Sequence, residues 1–355
     1  MIITFLLPHV RISGGVKALL KYANLLKDKG HEIHLVIPQK KTKWYRFAQK
    51  LKNRLNETQT LAAGAVDWFD NRVDLKVVLG LESQFIPDAD ILVASSWETA
   101  YAARDFPPQK GRPFYFIQHH EALWTRNKEK AKQTYTLPFH KIVVSTWLQE
   151  ILADQYRQDS ERLVTPVELD HFFCHEKQWN QPPRICLLHH DYDWKGYADG
   201  ITAINKVMAQ NIDLKVTVFG EKLENPQPLF RSAGFEFDYH YRPTGDSLQR
   251  IYTESDIYLC PSWHEGLGMT AMEAMACRAA LVSTDTGGCR DYAIPGETAL
   301  LSQPRNPDTL AENLSRVITD PALMKQLSAT GHQKIREFDW QENCSKLIRL
   351  FEAKR

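Results

Sequence analysis

Between Pro261 and Gly288 the chain reads "PSWHEGLGMTAMEAMACRAALVSTDTGG", with Glu265 and Glu273 separated by seven residues. Glu265 sits among glycines, before Gly266 and Gly268, and Glu273 sits among Ala and Met. Glycine lets backbone N–H groups come close to phosphate oxygens, and a helix that follows points its positive end there. An ionised carboxylate only accepts hydrogen bonds, which suits the hydroxyls of a sugar or a ribose. Two acids on either side of such a turn would reach different ends of one elongated, phosphate-bearing ligand.

Similar groups follow other strand-like runs. Gly14 and Gly15 precede a helix expected from about Val16 to Lys29. His119, His120 and Glu121 follow "PFYFIQ". His189, His190, Asp191, Asp193, Lys195 and Gly196 follow "ICLL", and Gly287 and Gly288 follow "ALVSTD". Lys195 would neutralise a diphosphate as a point charge. Taken singly, a Gly-Gly pair is a turn, and an isolated histidine is more often a hydrogen-bonded core residue. Their shared place after strands is what points to a site. The His-rich stretches do not make a zinc site of the helical H-E-x-x-H kind, because the residue four after His264 is Gly268. No G-x-S-x-G elbow and no Walker loop occurs.

The elements that must position these residues alternate. "IITFLL", a Gly-Gly turn, a helix capped by Gly30 and "HEIHLVIP" form a strand-helix-strand unit. "DILVAS", "PFYFIQ" and "KIVVS" continue it. Their apolar runs are continuous rather than alternating, as in sheets covered on both faces. A break with Pro166 and Pro182-Pro183 reads as a linker. A second set follows, with "RICLLHH", "KVTVFG", "FEFDYHY", "DIYLCPS" and "AALVSTD", and helices at Ala198–Gln210 and Ser247–Ser255. The expected fold class is α/β, with two facing Rossmann-like doubly wound domains and a cleft between them. The expected boundaries are 1–165, linker 166–183, 184–338, and a terminal helix 339–355 packing back on the N-terminal domain. Ligands of such sheets bind at the carboxyl ends of the strands.

Composition agrees with a globular protein. In 355 residues the hydrophobic fraction is 43% and the charged fraction 25%, and the formal charge is +1. That charge argues against a nucleic-acid partner. The six cysteines form no C-x-x-C pair and read as buried thiols. No apolar run approaches the ~20 residues of a membrane span, and the N-terminus reads as a strand rather than a signal peptide. A cytoplasmic location, peripheral at the inner face of the membrane if a membrane is touched, is the expectation.

The Glu265-to-Glu273 segment, with its flanking "PS", "EAMAC" and "GG", resembles the donor-site signature of retaining glycosyltransferases of family 4, which have the GT-B fold. "GGV", "VTPVELDHFF", "WKG" and "IPGETALL" extend the resemblance more weakly along the chain. The resemblance implies a nucleoside-diphosphate sugar as donor, no metal and no further cofactor. It implies that Glu265 contacts the donor sugar, that Gly266, Leu267, Gly268 and Met269 line the sugar and diphosphate, and that Glu273 binds the ribose. Lys195 would sit on the diphosphate, Gly14 and Gly15 would approach it from the other half, and His119 would lie near the reacting carbon. The arginine usual in the family before the "KG" lysine is missing from "LLHHDYDWKG"; either His189 or His190 would replace it, or the diphosphate would rely on Lys195 and helix dipoles. The implied reaction keeps the anomeric configuration and passes the sugar to a glycan or lipid-linked hydroxyl, as in cell-envelope or polysaccharide synthesis. A sugar- or partner-binding module without turnover is the alternative.

The clue to the acceptor is "KKTKWYRFAQKLKNRL". Its Trp44 and Phe47 fall on one helical face, with Lys43, Arg46 and Lys50 around them. Two readings stand open: a helix lying on an anionic membrane surface, or a surface helix packing its apolar stripe on the domain.

Overall fold

The computed structural model describes residues 1–39, 58–62, 66–220 and 227–353. The basic stretch with Lys43, Trp44, Arg46, Phe47 and Lys50 lies outside the described residues. The chain divides into two compact units. One comprises Met1–Val144, Leu148–Leu163 and Gln341–Arg355; the other comprises Ser145–Trp147 and Val164–Trp340.

In the first unit the strands are β1 (Ile2–Leu6), β2 (Glu32–Pro38), β3 (Thr58–Leu61), β4 (Leu75–Val78), β5 (Ile91–Ala94), β6 (Arg112–Ile117), β7 (His140–Val143) and β8 (Glu161–Arg162). They lie in the order β3-β4-β2-β1-β5-β6-β7-β8. Pairing is parallel except at the edge, where β3 runs antiparallel to β4. The helices are α1 (Gly14–Asp28), α2 (Trp97–Ala103), α3 (Lys128–Tyr135) and α4 (Thr146–Tyr156). Strand β5 is buried at every residue, as its unbroken "ILVA" requires. Helix α1 turns Val16, Leu19, Leu20, Ala23 and Leu26 inward, a stripe at helical spacing. It starts two residues before the expected Val16, because the extended Ser13 accepts from the Val16 N–H at 3.3 Å and caps it. The terminal helix, Trp340–Ala353, buries Cys344, Leu347 and Phe351, and Phe351 meets the ring of Phe114 edge-on at 4.9 Å.

The second unit has β9 (Arg184–Leu188), β10 (Lys215–Gly220), β11 (Asp238–Tyr241), β12 (Ile257–Cys260), β13 (Ala280–Thr284) and β14 (Ala299–Ser302). Their order is β11-β10-β9-β12-β13-β14, all parallel. The helices are α5 (Tyr197–Met208), α6 (Gln227–Ala233), α7 (Asp246–Glu254), α8 (Met269–Ala276), α9 (Pro307–Thr319) and α10 (Pro321–Ile335). Ile185, Leu187, Ile204, Val207, Val218, Leu259, Val282, Leu310 and Leu314 are fully buried in one core. Each such side chain contributes about 1.5–3 kcal/mol by leaving water.

Both sheets are therefore doubly wound. The strand order reverses between β1 and β5 in one and between β9 and β12 in the other. The crevice outside the carboxyl ends at such a reversal is where these sheets bind ligands. Lys195 follows β9 and Glu265 follows β12, so the two residues flank the reversal of the second sheet.

Candidate active site

The loops after β9 and β12 are locked together by backbone contact. Gly196 has φ 63°, and a Cβ there would strike the Pro261 carbonyl. Trp263 donates its backbone N–H to the Trp194 carbonyl at 2.7 Å. Farther along, Glu265 N–H donates to Thr286 O at 3.0 Å, and a Cβ on Gly288 would strike the Gly266 carbonyl. The glycines at 196 and 288 thus permit a backbone-on-backbone approach that no other residue allows.

This packing sets the charged groups. Lys195 Nζ donates to Glu265 Oε1 at 2.7 Å and to Oε2 at 3.0 Å. The side chains are 21% and 12% exposed. An ion pair removed this far from water carries a large desolvation cost. Both partners are chemically suited to exchange each other for a ligand that brings an anion for the lysine and hydroxyls for the acid.

Gly268 has φ 94°, and a Cβ there would lie 2.5 Å from the Tyr292 hydroxyl. That hydroxyl donates to the carbonyls of Leu267, at 3.0 Å, and Gly268, at 3.1 Å. Tyr292 holds those carbonyls, and Gly268 O also accepts from the N–H groups of Ala271 at 3.0 Å and Met272 at 3.3 Å, so the N–H groups of Met269 and Thr270 are the ones at the start of α8 left without a partner in the helix. One turn on, Glu273 is 5% exposed and accepts from the Tyr252 hydroxyl at 3.3 Å. The arrangement can hold an anion at the N-terminus of α8 and hydroxyls at Glu265 and Glu273.

His189 ends the β9 side. It is buried, its ring meets Tyr197 edge-on at 4.8 Å, and its Nδ1 has no hydrogen-bond partner among the described residues. Burial lowers its pKa, so at pH 7 it is a neutral imidazole rather than a second cation beside Lys195.

Sequence reasoning missed the rings that flank the lysine in the chain. His190, Tyr192, Trp194 and His264 form a run of stacked rings with centroid separations of 4.3, 4.1 and 5.8 Å. Trp263 donates its ring N–H to Asp199 at 2.7 Å and carries the Arg305 guanidinium 4.0 Å above its face. The stack joins residues some seventy positions apart in sequence, so no local spacing announces it. The aromatic content of "HHDYDWKG" and "SWHE" was the available signal.

In the first unit Gly14 and Gly15 open α1 after the Ser13 cap. A Cβ on Gly15 would approach the Gln118 side chain to 3.0 Å. His119 follows β6 and meets Trp124 edge-on at 6.4 Å. His120 is buried and its Nε2 lies 2.9 Å from the Tyr156 hydroxyl. Glu121 accepts from the Trp97 backbone N–H at 2.7 Å and from the Tyr115 hydroxyl at 3.1 Å. Burial, with Glu98 adding to it, raises the pKa of Glu121 to about 8. All six cysteines are free and buried. Among the described residues, no group of three or more His, Cys, Asp or Glu is placed to hold a metal ion, and no helix is long and apolar enough to cross a membrane.

Comparison with known proteins follows the same division. Residues 175–334 match the family model described as glycosyl transferases group 1. An alpha-maltose-1-phosphate synthase of Mycobacterium tuberculosis is 34% identical over 117 residues, covering 31% of this chain and 30% of that protein. A D-inositol 3-phosphate glycosyltransferase of Rhodococcus erythropolis is 29% identical over 125 residues, covering 35% of this chain and 28% of that protein. The alignments thus span about a third of the length of these curated relatives. Among solved structures, sucrose-phosphate synthase from Thermosynechococcus elongatus superposes with a TM-score of 0.76 at 13% identity, covering 99% of this chain and 98% of that one. Anabaena HepE in complex with UDP-glucose gives 0.75 at 14% identity, covering 99% of this chain and all of the other. The chain has the GT-B fold, and its second unit carries the sequence pattern of group 1 glycosyl transferases.

Proposed function

We propose that the protein is a retaining glycosyltransferase that moves a sugar from a nucleoside-diphosphate sugar to a hydroxyl of a glycan or lipid-linked acceptor. The observation that carries this is the placement of Lys195, Glu265, the N-terminus of α8 and Glu273 around the reversal point of the second sheet. The solved relative that holds UDP-glucose supports the donor class.

In this reading the difficult event is the growth of negative charge on the departing diphosphate. Lys195 and the N–H groups at the start of α8 are fixed cationic and dipolar groups for that charge, so no metal is required. Glu265 would take the donor-sugar hydroxyls, leaving Lys195 to the phosphate. Glu273, held by Tyr252, would take the ribose hydroxyls. His119 is the catalytic candidate of the first unit, orienting or stabilising rather than attacking.

A thermal-shift series with UDP, GDP, TDP and ADP, with and without magnesium, tests the donor site. One diphosphate should raise the melting temperature without magnesium, and Glu273→Ala should abolish the rise. Silence from all four would sink the donor reading. A shift without any turnover of the matching nucleotide sugars would favour the binding module, a reading motivated by the neutral His189 where the family has an arginine. NMR of the product anomer decides retention.

A further inference from the structure

We propose that the second unit has a separate binding site for a soluble phosphate-bearing small molecule, at the far end of α8 from Gly268. It does not rest on the donor reading. Arg278, Arg336, His175 and His332 line a hollow of about 270 Å³, together with Leu169, Phe172, Phe173 and Cys174.

The charges there are one-sided. No carboxylate lines the hollow. Arg278 donates its Nε–H to the Cys174 carbonyl at 2.9 Å, which leaves its two terminal nitrogens. The guanidinium of Arg336 makes no hydrogen bond or ion pair among the described residues. His332 donates Nδ1–H to the Ala276 carbonyl at 2.9 Å, and that fixes its ring. Burial lowers the His332 pKa, and the positive charges of both arginines push the same way.

Arginine keeps its charge at any working pH, so Arg278 and Arg336 line the hollow as permanent cations. An anion would neutralise them. Guanidinium groups offer planar pairs of N–H donors that match two phosphate oxygens. Arg278 also has φ 63°, a left-handed conformation that favours glycine, yet the position carries a long charged side chain. Phe173 is 40% exposed beside these cations and offers an apolar face to the rest of the ligand. The volume is just below the range of ordinary small-molecule pockets, which fits a small phosphomonoester rather than a nucleotide.

The test is calorimetric titration with inorganic phosphate and with glycerol 3-phosphate at constant ionic strength. The wild type and Lys195→Ala should both bind. Arg336→Gln should bind at least tenfold more weakly and Arg336→Lys should fall between it and the wild type, with unchanged melting temperatures showing that the fold survives. Equal binding by wild type and Arg336→Gln, or no binding by wild type, would overturn the proposal. Loss of binding in Lys195→Ala alone would place the phosphate at the donor site and overturn it as well. Retention on phosphatidate vesicles, without uptake of either free probe, would overturn the soluble-ligand form.

Discussion

At the carboxyl edge of the first sheet, Glu121 is held by the protein's own groups: the Trp97 N–H at 2.7 Å and the Tyr115 hydroxyl at 3.1 Å. It ties the start of α2 to β6. At the matching edge of the second sheet, Glu265 is held chiefly by Lys195, at 2.7 Å. One acid joins two backbone segments; the other pairs with a side chain that, in the proposed reading, a ligand displaces. An acid beyond the carboxyl ends of the strands thus serves cohesion in one unit and, in the proposed reading, recognition in the other, from strands at different places in the order: β12 borders the reversal, β6 lies one strand beyond it. Burial of an acid is therefore no sign of a binding role until its partners are known.

The comparison breaks or sharpens under substitution. If the second edge is the reactive one, Lys195→Ala should lower kcat for the accepted nucleotide sugar by roughly 10²–10³-fold, the size seen when a fixed stabiliser of developing charge is removed. Steady-state turnover reads this, and a loss under threefold would place the reactive cation elsewhere. His119→Ala in the same assay asks whether the first unit contributes to chemistry; full turnover would remove His119 from the mechanism.

Stability separates the glycines. Gly268→Ala meets both a positive φ and the Tyr292 hydroxyl, and should cost about 2–3 kcal/mol in urea unfolding. Gly30→Ala shares a positive φ but has nothing within 4 Å, so it should cost only about 1 kcal/mol. Equal costs would mean that the Tyr292 brace adjusts freely.

The pH response belongs to the first edge. A carboxyl whose folded pKa is raised from 4.5 to about 8 binds a proton in the folded chain that the unfolded chain has lost. Its stabilising contribution is complete below pH 4.5 and declines as the pH rises to about 8. The slope approaches ~1.4 kcal/mol per pH unit at most. Glu121→Gln, which keeps an acceptor for the Trp97 N–H without the charge, should remove this part of the slope and make the variant the more stable protein at pH 8. An unchanged slope between pH 5 and 8 would show that Glu121 stays ionised. As small as the Gly30→Ala effect is that of Tyr252→Phe, about 1 kcal/mol from one long hydrogen bond to Glu273. It should appear as weaker nucleotide binding as well as lower stability.

Much of the fold was legible because buried parallel strands write themselves as unbroken apolar runs. "ILVA" and "ALVST" are strands β5 and β13 within a residue or two of expectation. Strands β3, β4, β8 and β14 escaped, and for the first and third the reason is physical. "TQTL" in β3 is largely polar, and "ER" in β8 is exposed, so neither leaves an apolar trace. In the site, the turn at Gly268 and the helix after it were legible, since glycine chemistry and helix starts are local. The ion pair between Lys195 and Glu265, the ring stack around Trp194 and the cationic hollow at Arg278 depend on residues brought together from distant positions. Only the sheet order puts them side by side.

Helix α8 spans only Met269–Ala276, and Ala271 through Ala276 are all buried. A helix shorter than about 12–15 residues does not hold its shape alone in water. The N–H cluster after Gly268 and the carboxylate of Glu273 are therefore properties of the closed core and have no counterpart in a loosened second unit. Amide hydrogens from Met272 to Ala276 should exchange with solvent only when the whole unit opens. A nucleotide bound there would then slow exchange throughout the unit, far beyond the residues it touches.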